Sequence, residues 1–516
     1  MAGRTRPLNP AAVVLALGLA LLTLGTAAVV ASRAEGFALA AGDLGMLRFT
    51  VVQAALSAAV SVLLAVPVAR ALARRRFVGR AMLITLMGAP FLLPVLVAVL
   101  GLLAVFGRSG VINQALMATG LPPVSIYGLQ GVVLAHVFLN LPLAVRMLLQ
   151  GWQAIPAERF RLAQSLGLGP AGQFRHLEGP MLRATVPGAA GAIFLLCLTS
   201  FVVALTLGGG PGATTMELGI YQALRFEGDL GRASLLAAVQ FATCGVAVLA
   251  LARVTVPSAF GAGLDRQRAI PAPSGWRRGA DAAAITLAAA FLLVPLAAVV
   301  LRGLPSLADL PVSIWAAAAR SVAVAVISAG VAVCVALALA QAVAQETRFA
   351  RLIEVSAMLP MAASGLVLGT GLFVVVQPWV RPETVALPVT VLVNAALAQP
   401  FVYRLILPQA RALQADYGRL TQAVGLRGWS RLRWVTLPRL ARPLGFGAGI
   451  AAALSMGDLG VMVLFAGETG ATLPVVMHRL MGAFRMDQAA GAAVVLLCLS
   501  FVLFWGFDRW GRHVAA

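Results

Sequence analysis

The sequence predicts an all-α protein that crosses a membrane about twelve times, arranged as two parallel six-helix repeats. Of its 516 residues, 60% are hydrophobic and only 11% are charged, and the mean hydropathy is +0.93. A soluble domain cannot bury that much apolar surface, so the composition indicates a polytopic membrane protein. The apolar stretches are continuous, whereas the strands of a membrane β-barrel alternate polar and apolar residues. We therefore predict helices, which satisfy every backbone polar group within the hydrocarbon.

Twelve apolar runs are each close to the roughly 20 residues that a helix needs to cross a bilayer. The first resembles a signal peptide in having Arg4 and Arg6 before it. Its apolar stretch is longer than the roughly 7–15 residues of a signal peptide, so we interpret it as the first span. In chain order, the predicted spans are 11–31, 50–69, 83–106, 130–149, 188–207, 234–252, 282–301, 321–340, 355–376, 385–407, 444–465 and 489–506.

The distribution of arginine predicts the orientation of these spans. The chain has a net charge of +21, and all 39 of its basic residues are arginine. Arginine and lysine accumulate in loops on the cytoplasmic side of membrane proteins. If the N-terminus is inside, 29 of the 39 arginines fall on the cytoplasmic side. We therefore predict that both termini are cytoplasmic, and that the positive charge orients helices rather than binding nucleic acid.

The absence of lysine also limits the chemistry of the chain. A phosphate-binding loop of the form G-x-x-x-x-G-K-[ST] needs its lysine, so we expect no ATP site of that type here. The four cysteines lie inside apolar runs, and the four histidines are scattered without ligand spacing. We expect no metal site, and we assign no catalytic residue and no enzyme activity to this chain.

An internal repeat is visible at a fixed offset of 258 residues. The stretch "RLAQSLGLGP" at 161–170 returns as "RLTQAVGLRG" at 419–428, and no gap is needed from about 136 to 241. Each half has an even number of spans, so both halves enter the membrane in the same sense. In parallel repeats of this kind the substrate path lies between the repeats. The predicted domains are 1–254, the first repeat; 255–281, a cytoplasmic linker rich in Pro, Gly and Arg; and 282–516, the second repeat.

The repeated stretch lies between spans four and five of each half, in a polar segment too long for a simple connection. Pro156 and Gly167 occupy the start and stop positions of a short helix, and the second copy has Asp416 early and Gly425 as its stop. Both predicted helices carry apolar side chains beside arginine, which suits lipid headgroups or a groove in a partner. Two copies at equivalent positions favour a paired docking surface for a dimeric partner.

The repeated pattern resembles the cytoplasmic coupling loop of ABC-importer permeases, whose form is E-A-A-x3-G-x9-I-x-L-P. The spacing from glycine to proline matches in both copies, whereas arginine stands in place of the glutamate in both. The corresponding residues are Arg161, Leu162, Ala163, Gly167, Leu177 and Pro180 in the first copy, and Arg419, Leu420, Thr421, Gly425, Val435 and Pro438 in the second.

This resemblance implies a type I ABC importer permease fold in a bacterial inner membrane. It implies that each loop sits in a groove of one subunit of a separate homodimeric ATPase. ATP and Mg would belong to that ATPase, and this chain would bind no cofactor. Closure of the ATPase dimer would then switch the two halves between outward-open and inward-open states within the lipid bilayer.

A second resemblance is carried by 207–241, "LGGGPGATTMELGIYQALRFEGDLGRASLLAAVQF". Its glycines predict a sharp turn at the end of the fifth span, and 214–225 predicts a short amphipathic segment. The stretch is similar to that of thiamine (thiamine pyrophosphate) permeases, which carry an LGGGP-x-ATT-x-EL-x-IYQAL run. This implies import of thiamine or its pyrophosphate, delivered by a periplasmic thiamine-binding protein that meets this surface. The alternative is a turn and an interfacial helix that only shape the fold.

Several polar groups lie within the apolar runs. A carboxylate inside a span is costly and is a functional hypothesis by default, and Asp458 could line a path for cationic thiamine or bond to another helix. Asn140 has the same two interpretations, with helix-to-helix bonding favoured. The residues that we predict for the substrate pathway are Asp458, Ser200, Asn140, Gly209 and Glu217.

Two other functions stay open at this point. Within the same class of importer, the substrate could be iron(III) or another small solute. A proton-coupled secondary transporter with six plus six spans is less favoured, because such carriers have an acidic–basic motif between spans two and three. Here that loop reads "ALARRRFVGR" and contains no acid.

Overall fold

The computed structural model describes residues 9–34, 39–88, 93–251, 253, 275–467 and 470–515. Within these ranges the regular structure is helical, and there is no strand. In the described part of the chain, eleven helices are long and apolar enough to cross a membrane. The number is twelve if Ala350–Ala362 and Gly365–Val376, bent by 96°, form one span. The predicted all-α fold with about twelve spans is confirmed. Residues 255–274 of the predicted linker lie outside the described residues, so the repeat boundaries stay a prediction.

The helices that cover the first half of the chain correspond to the first six predicted spans and their connections. They are α1 (Pro10–Arg33), α2 (Ala41–Arg74), α3 (Arg80–Leu86), α4 (Val95–Phe106), α5 (Val111–Ala118), α6 (Leu129–Ala154), α7 (Ala157–Ser165), α8 (Pro170–Gln173), α9 (Gly179–Leu198), α10 (Val202–Leu207), α11 (Met216–Gln222) and α12 (Leu230–Leu251).

The second half repeats this order with longer helices at some positions. Its helices are α13 (Trp276–Gly303), α14 (Val312–Ala344), α15 (Ala350–Met358), α16 (Gly365–Val376), α17 (Ala386–Ala423), α18 (Gly428–Arg431), α19 (Leu437–Met456), α20 (Gly460–Phe465), α21 (Leu473–Gly482) and α22 (Met486–Ala515).

The chain forms two compact units that do not follow the order of the sequence halves. One unit contains Leu39–Leu218 and Thr243–Pro305; the other contains α1, Gly219–Ala242 and the chain from Ser306 onward. The first span of each half therefore packs with helices of the opposite half. The predicted repeats describe the sequence, whereas these units describe the packing.

In the first of these units, α2, α6 and α9 pack together as the core, and α13 packs on α4 and α2. Small and branched side chains fill the centre, as Ala58, Leu148 and Ile193 illustrate, all of them buried. Small residues let membrane helices approach closely, which matters because lipid gives helices no hydrophobic reason to associate. Gly101 of α4 shows this, since a Cβ there would lie 2.6 Å from the Pro295 carbonyl oxygen of α13.

The other unit has the equivalent core, in which α14, α17 and α19 pack together and α22 packs along α19. Here α1 takes the place that α13 has in the first unit, and packs on α16. Gly371 of α16 is the close-approach residue, because a Cβ there would lie 2.6 Å from the side chain of Thr26. The sequence repeat thus corresponds to a repeated packing arrangement.

The 258-residue offset also relates the helix boundaries. Helices α9 and α10 are separated by a break at 199–201, and α19 and α20 by a break at 457–459. A π-helical turn precedes each pair, at Phe174–Glu178 and at Leu432–Thr436. The fifth and eleventh predicted spans are thus each interrupted by a non-helical stretch. In a membrane such backbone is tolerated only where protein or water surrounds it.

Candidate functional site: the repeated loops and the buried polar groups

The first repeated loop, residues 156–180, contains α7, α8 and the π-helical turn. Ile155 is extended, with φ −69° and ψ 121°, because a residue before proline avoids the α region and Pro156 has no N–H to continue the helix. At the end of α7, Gly167 has φ +67°. Its N–H donates to Gln164 O at 2.9 Å, and the Leu168 N–H donates to the Ala163 carbonyl at 2.9 Å. This is a Schellman closure, and the short helix predicted at 156–166 is confirmed.

The second repeated loop, residues 414–438, starts differently and ends in the same way. Gln414 stands where the first loop has proline, so α17 runs unbroken to Ala423. The prediction of a separate short helix starting near Asp416 is therefore wrong. At the end, Gly425 has φ +74°, its N–H donates to Gln422 O at 3.1 Å, and the Leu426 N–H donates to Thr421 O at 2.9 Å.

The two loops present the same pattern of exposed apolar side chains. In the first loop, Leu162 is 60% exposed and Leu166 67% exposed. In the second, the equivalent Leu420 is 56% exposed and Val424 64% exposed. Each pair lies four residues apart on one helical face. The structure thus has two equivalent apolar faces of the kind that a helix places in a partner's groove.

The side chains behind these faces hold each loop to its own bundle. Ala163 and the equivalent Thr421 are both 3% exposed, and Phe160 is 1% exposed. The apolar side chains Phe160, Ala163 and Leu166 of the first loop therefore do not share one exposed face. Phe160 and Ala163 pack inward, and only Leu166 faces outward beside Leu162.

The arginines that replace the family glutamate lie on the exposed side. Arg161 and Arg419 are both exposed. Arg161 Nη2 lies 3.0 Å from Glu158 Oε1, with both side chains 72% exposed, and such a pair contributes about 0–1 kcal/mol. Arg161 is therefore available to a partner at little cost.

The later positions of the pattern begin the next helices. Pro180 and Pro438 are the second residues of α9 and α19, directly after the π-helical turns. Leu177 and Val435 are half-buried beside them. These four residues lie away from the exposed apolar faces along the chain.

Asp458 and Ser200 both lie in the helix breaks described above, at equivalent positions. The Val461 N–H donates to Asp458 Oδ1 at 3.5 Å, and the side chain of Asn394 is a second hydrogen-bond partner of this carboxylate. Asp458 Oδ2 is buried and accepts no hydrogen bond from the described part of the chain. The carboxylate is thus held at the start of α20 with one oxygen unsatisfied. Ser200 places a neutral hydroxyl at the same point of the other copy.

Asn140 is occupied inside its own unit. Its Nδ2 donates to the His136 carbonyl at 2.9 Å and to Cys197 Sγ at 3.4 Å, and Ser57 Oγ lies 3.2 Å from His136 Nδ1. This arrangement matches the predicted preference for hydrogen bonds between helices. The second copy has the same kind of cluster, in which Asn394 donates to Ser455 Oγ at 3.0 Å.

Gly209 and Glu217 lie on either side of a short helical turn at Pro211–Ala213. Gly209 has φ +75°, and a Cβ there would lie 2.8 Å from Tyr127 Cβ, so glycine is required. Glu217 is fully buried in the first turn of α11, and residues 213–221 are buried throughout. This segment is therefore packed against protein on all sides, and its role as part of the pathway or only of the fold stays a prediction. At Tyr221, burial raises the pKa of the phenol, an effect that Arg225 and Arg479 partly oppose.

Comparison with known proteins identifies the family, although no family model matches the chain. The chain is 40% identical to a thiamine transport system permease protein of Salmonella typhimurium, over 91% of this chain and 89% of that protein. It is 38% identical to one of Brucella abortus, over 97% and 96% of the two chains, and 32% identical to one of Haemophilus influenzae, over 89% and 87%. The chain belongs to the family of thiamine transport system permease proteins.

Membership of this permease family confirms the resemblance that the repeated loops and the 207–241 stretch predicted.

One feature of the first loop was missed. Arg70 and Arg74 were counted among the loop charges that orient the helices, yet both pair with Glu178, which is fully buried. An i, i+4 arginine pair at the end of α2 was the only signal available in the sequence.

The sequence analysis also missed a hydrogen bond that occurs in both halves. It joins the second span of each half to a short helix, α2 to α11 in the first half and α14 to α21 in the second. Thr50 Oγ1 accepts from the Met216 N–H at 2.9 Å, and Ser321 Oγ accepts from the Leu473 N–H at 2.8 Å. Each hydroxyl satisfies a backbone donor at a helix start. The 258-residue offset of the repeated loops does not hold in span two, so these hydrogen bonds were needed to align the two copies there.

Proposed function

We propose that this chain is the membrane permease of an importer that moves thiamine into the cell, driven by ATP hydrolysis on a separate subunit. The observation that carries the proposal is the similarity to thiamine transport permeases over nearly the full length of both chains. The iron(III) alternative is not favoured, because these relatives are thiamine permeases. We expect thiamine or its pyrophosphate as the substrate.

The two equivalent apolar faces support docking of two ATPase subunits. Leu162 and Leu166 form one face, and Leu420 and Val424 form the other. A helix that presents apolar residues at i and i+4 can fill a groove in a partner. In this proposal, ATP and Mg bind to the ATPase homodimer, and its closure moves the two loops.

The orientation follows from the arginine distribution. The segments rich in arginine, including both repeated loops, face the cytoplasm by the positive-inside rule. Both termini are then cytoplasmic, in the inner membrane of a bacterium. The glycine-rich turn at 208–211 faces the periplasm, where a thiamine-binding protein delivers the solute.

Within the membrane, we assign Asp458 to the solute path. Its buried carboxylate at a helix break has an unsatisfied oxygen, and thiamine carries a positive charge. Ser200 lies at the equivalent break in the other copy. Asn140 is held by His136 and Cys197 and supports the path as a structural residue.

Reconstitution in proteoliposomes tests this function. The chain is combined with its ATPase subunit and its periplasmic binding protein, and uptake of labelled thiamine is measured with internal ATP. We expect uptake only when all three components and ATP are present. Uptake driven by a pH gradient without ATP would instead identify a secondary transporter, and uptake of ferric ion in place of thiamine would identify the other class of importer.

A further inference from the structure

The two repeated loops are joined to their bundles by different chemistry. In the first loop, Glu178 is the last residue of the π-helical turn before α9, and its carboxylate is 0% exposed. Arg70 Nη2 lies 2.8 Å from its Oε2, and Arg74 Nη2 lies 2.5 Å from its Oε1. Both arginines belong to the last turns of α2, four residues apart and so on one face. One carboxylate thus bridges two arginines of a membrane helix.

Other contacts extend this link. The Arg70 guanidinium lies over the Phe174 ring at 5.0 Å, so both ends of the π-helical turn are attached to α2. At the tip of α2, Arg75 Nε lies 2.6 Å from Asp281 Oδ2, with both side chains more than four-fifths buried. Asp281 belongs to α13. The first loop, α2 and α13 are therefore connected by successive ion pairs.

The second loop has no such charges at the equivalent positions. Thr50 and Ser321 make the same hydrogen bond, which aligns α2 with α14 at an offset of 271 residues. By that alignment, Gln341 and Gln345 replace the two arginines, and the 258-residue offset places Thr436 in the position of Glu178. These three residues line one small cleft with Arg431 and Gln414, so the alignment holds in space.

The chemical difference has a mechanical consequence. A buried charge pair resists separation, because removing either partner leaves an uncompensated charge in a medium of low dielectric. Neutral amide and hydroxyl contacts exchange partners at much smaller cost. A force on the first loop is therefore passed to α2 and α13, whereas the second loop has more freedom to shift against α14.

We infer that Glu178 is a positioning residue that makes the first loop, α2 and α13 move as one body, while the second loop has uncharged residues at the three positions equivalent to this ion-pair cluster. This inference rests on the proposed function to the extent that the loops receive the motion of the ATPase. It assigns unequal roles to the two coupling loops, although their exposed faces are equivalent. Glu178 touches neither the ATPase face nor the solute path.

Spin-label mobility tests the inference without a measurement of transport. In a chain whose four cysteines, Cys197, Cys244, Cys334 and Cys498, are replaced by alanine, a spin label is attached at Gln164 or at Gln422. Glu178→Gln should increase label mobility at Gln164 on α7. The matched change Thr436→Val, which removes the equivalent hydroxyl and keeps the shape, should leave the label at Gln422 unchanged. Unchanged mobility at Gln164 in Glu178→Gln would overturn the inference.

A transport test follows in the complete complex with ATPase and binding protein. Glu178→Gln should lower the number of thiamine molecules moved per ATP by about five-fold or more, the low end of usual coupling energies. Thr436→Val should stay within about two-fold of the wild type by the same scale. Assembly of the complex is measured in parallel, because a merely structural defect would lower assembly and leave the ratio intact.

A triple variant covers the case in which Glu178→Gln does not fold. Arg70→Gln, Arg74→Gln and Glu178→Thr together place the residues of the second copy at the three equivalent positions and leave none of these three charges unpaired. We expect this variant to fold and assemble but to keep a lowered thiamine-to-ATP ratio. A wild-type ratio would overturn the inference. A wild-type complex without ATP-driven thiamine uptake would contradict the proposed function instead, and label mobility would still decide the role of Glu178.

Discussion

At the scale of single residues, the two glycine stops are set by backbone geometry. Gly167 and Gly425 have φ of +67° and +74°, a region that residues with a Cβ enter at a cost of roughly 1–2 kcal/mol. Nothing lies within 4 Å of a Cβ built at either position. The requirement for glycine is therefore conformational rather than steric.

Gly167→Ala should distort the end of α7, and Gly425→Ala the end of α17, by raising the energy of the Schellman closure. We expect ATP-driven thiamine uptake to fall by about five-fold, corresponding to roughly 1 kcal/mol. Gly169→Ala is the matched control, since its φ is −65° and the space beside it is open. Equal losses in Gly169→Ala and Gly167→Ala would refute the conformational explanation.

Asp458 is the other residue whose role can be isolated. Its carboxylate is held at the start of α20 by the Val461 N–H and by Asn394. A role only in the helix start would tolerate an amide, because asparagine also accepts hydrogen bonds at such positions. A role in attracting a cation would not.

Asp458→Asn should therefore lower thiamine uptake by about ten-fold, corresponding to about 1.4 kcal/mol, while leaving ATPase binding unchanged. The exposed Asp309 provides the control, as Asp309→Asn removes a carboxylate outside the spans. Initial rates of uptake at several thiamine concentrations give the measurement. Wild-type rates in Asp458→Asn would assign this residue to the fold alone.

At the scale of elements, a single proline decides the shape of the two loops. Pro156 separates α6 from α7, whereas Gln414 lets α17 continue across the equivalent point. The sequence predicts the break in the first copy because proline lacks the N–H and restricts the residue before it. For the second copy we predicted a separate helix by analogy, although no residue there ends α17.

The exposed leucines of the two loops should carry binding to the ATPase. Burying a leucine is worth about 1.5–3 kcal/mol, so we expect Leu162→Asp or Leu420→Asp to weaken that binding by at least ten-fold. Val78→Asp is the control, because Val78 is fully exposed and lies outside both loops. Affinity measured on the detergent-solubilised chain checks this; unchanged binding in both loop variants would rule out these faces.

At the scale of the whole molecule, the proposed function predicts the stoichiometry of the complex from the duplicated loops. One chain with two equivalent apolar faces should bind two ATPase subunits. Native mass spectrometry of the purified complex should give one permease chain to two ATPase chains. Leu420→Asp should reduce the amount of this complex, and a one-to-one complex of the wild-type chain would contradict the paired arrangement.

Much of the fold could be predicted because span length and charge bias are local properties. The breaks at 199–201 and 457–459 could not, since the surrounding residues are as apolar as a continuous span. Their positions depend on neighbouring groups that satisfy the freed backbone. The candidate site could also be predicted only in part. The glycine stops depend on the local sequence, whereas the inward packing of Phe160 depends on tertiary contacts.

The sequence by itself determined the approximate number of spans, their internal repeat and the two repeated loops with their glycine stops, because each depends on run length, residue identity at a fixed offset or a glycine with positive φ. Only the tertiary structure decided that α1 and α13 pack with the opposite halves, and that Glu178 binds two arginines. Side chains that face lipid and side chains that face protein are both apolar. Sequence pattern therefore cannot distinguish which helices meet, or which charges lie together at their ends.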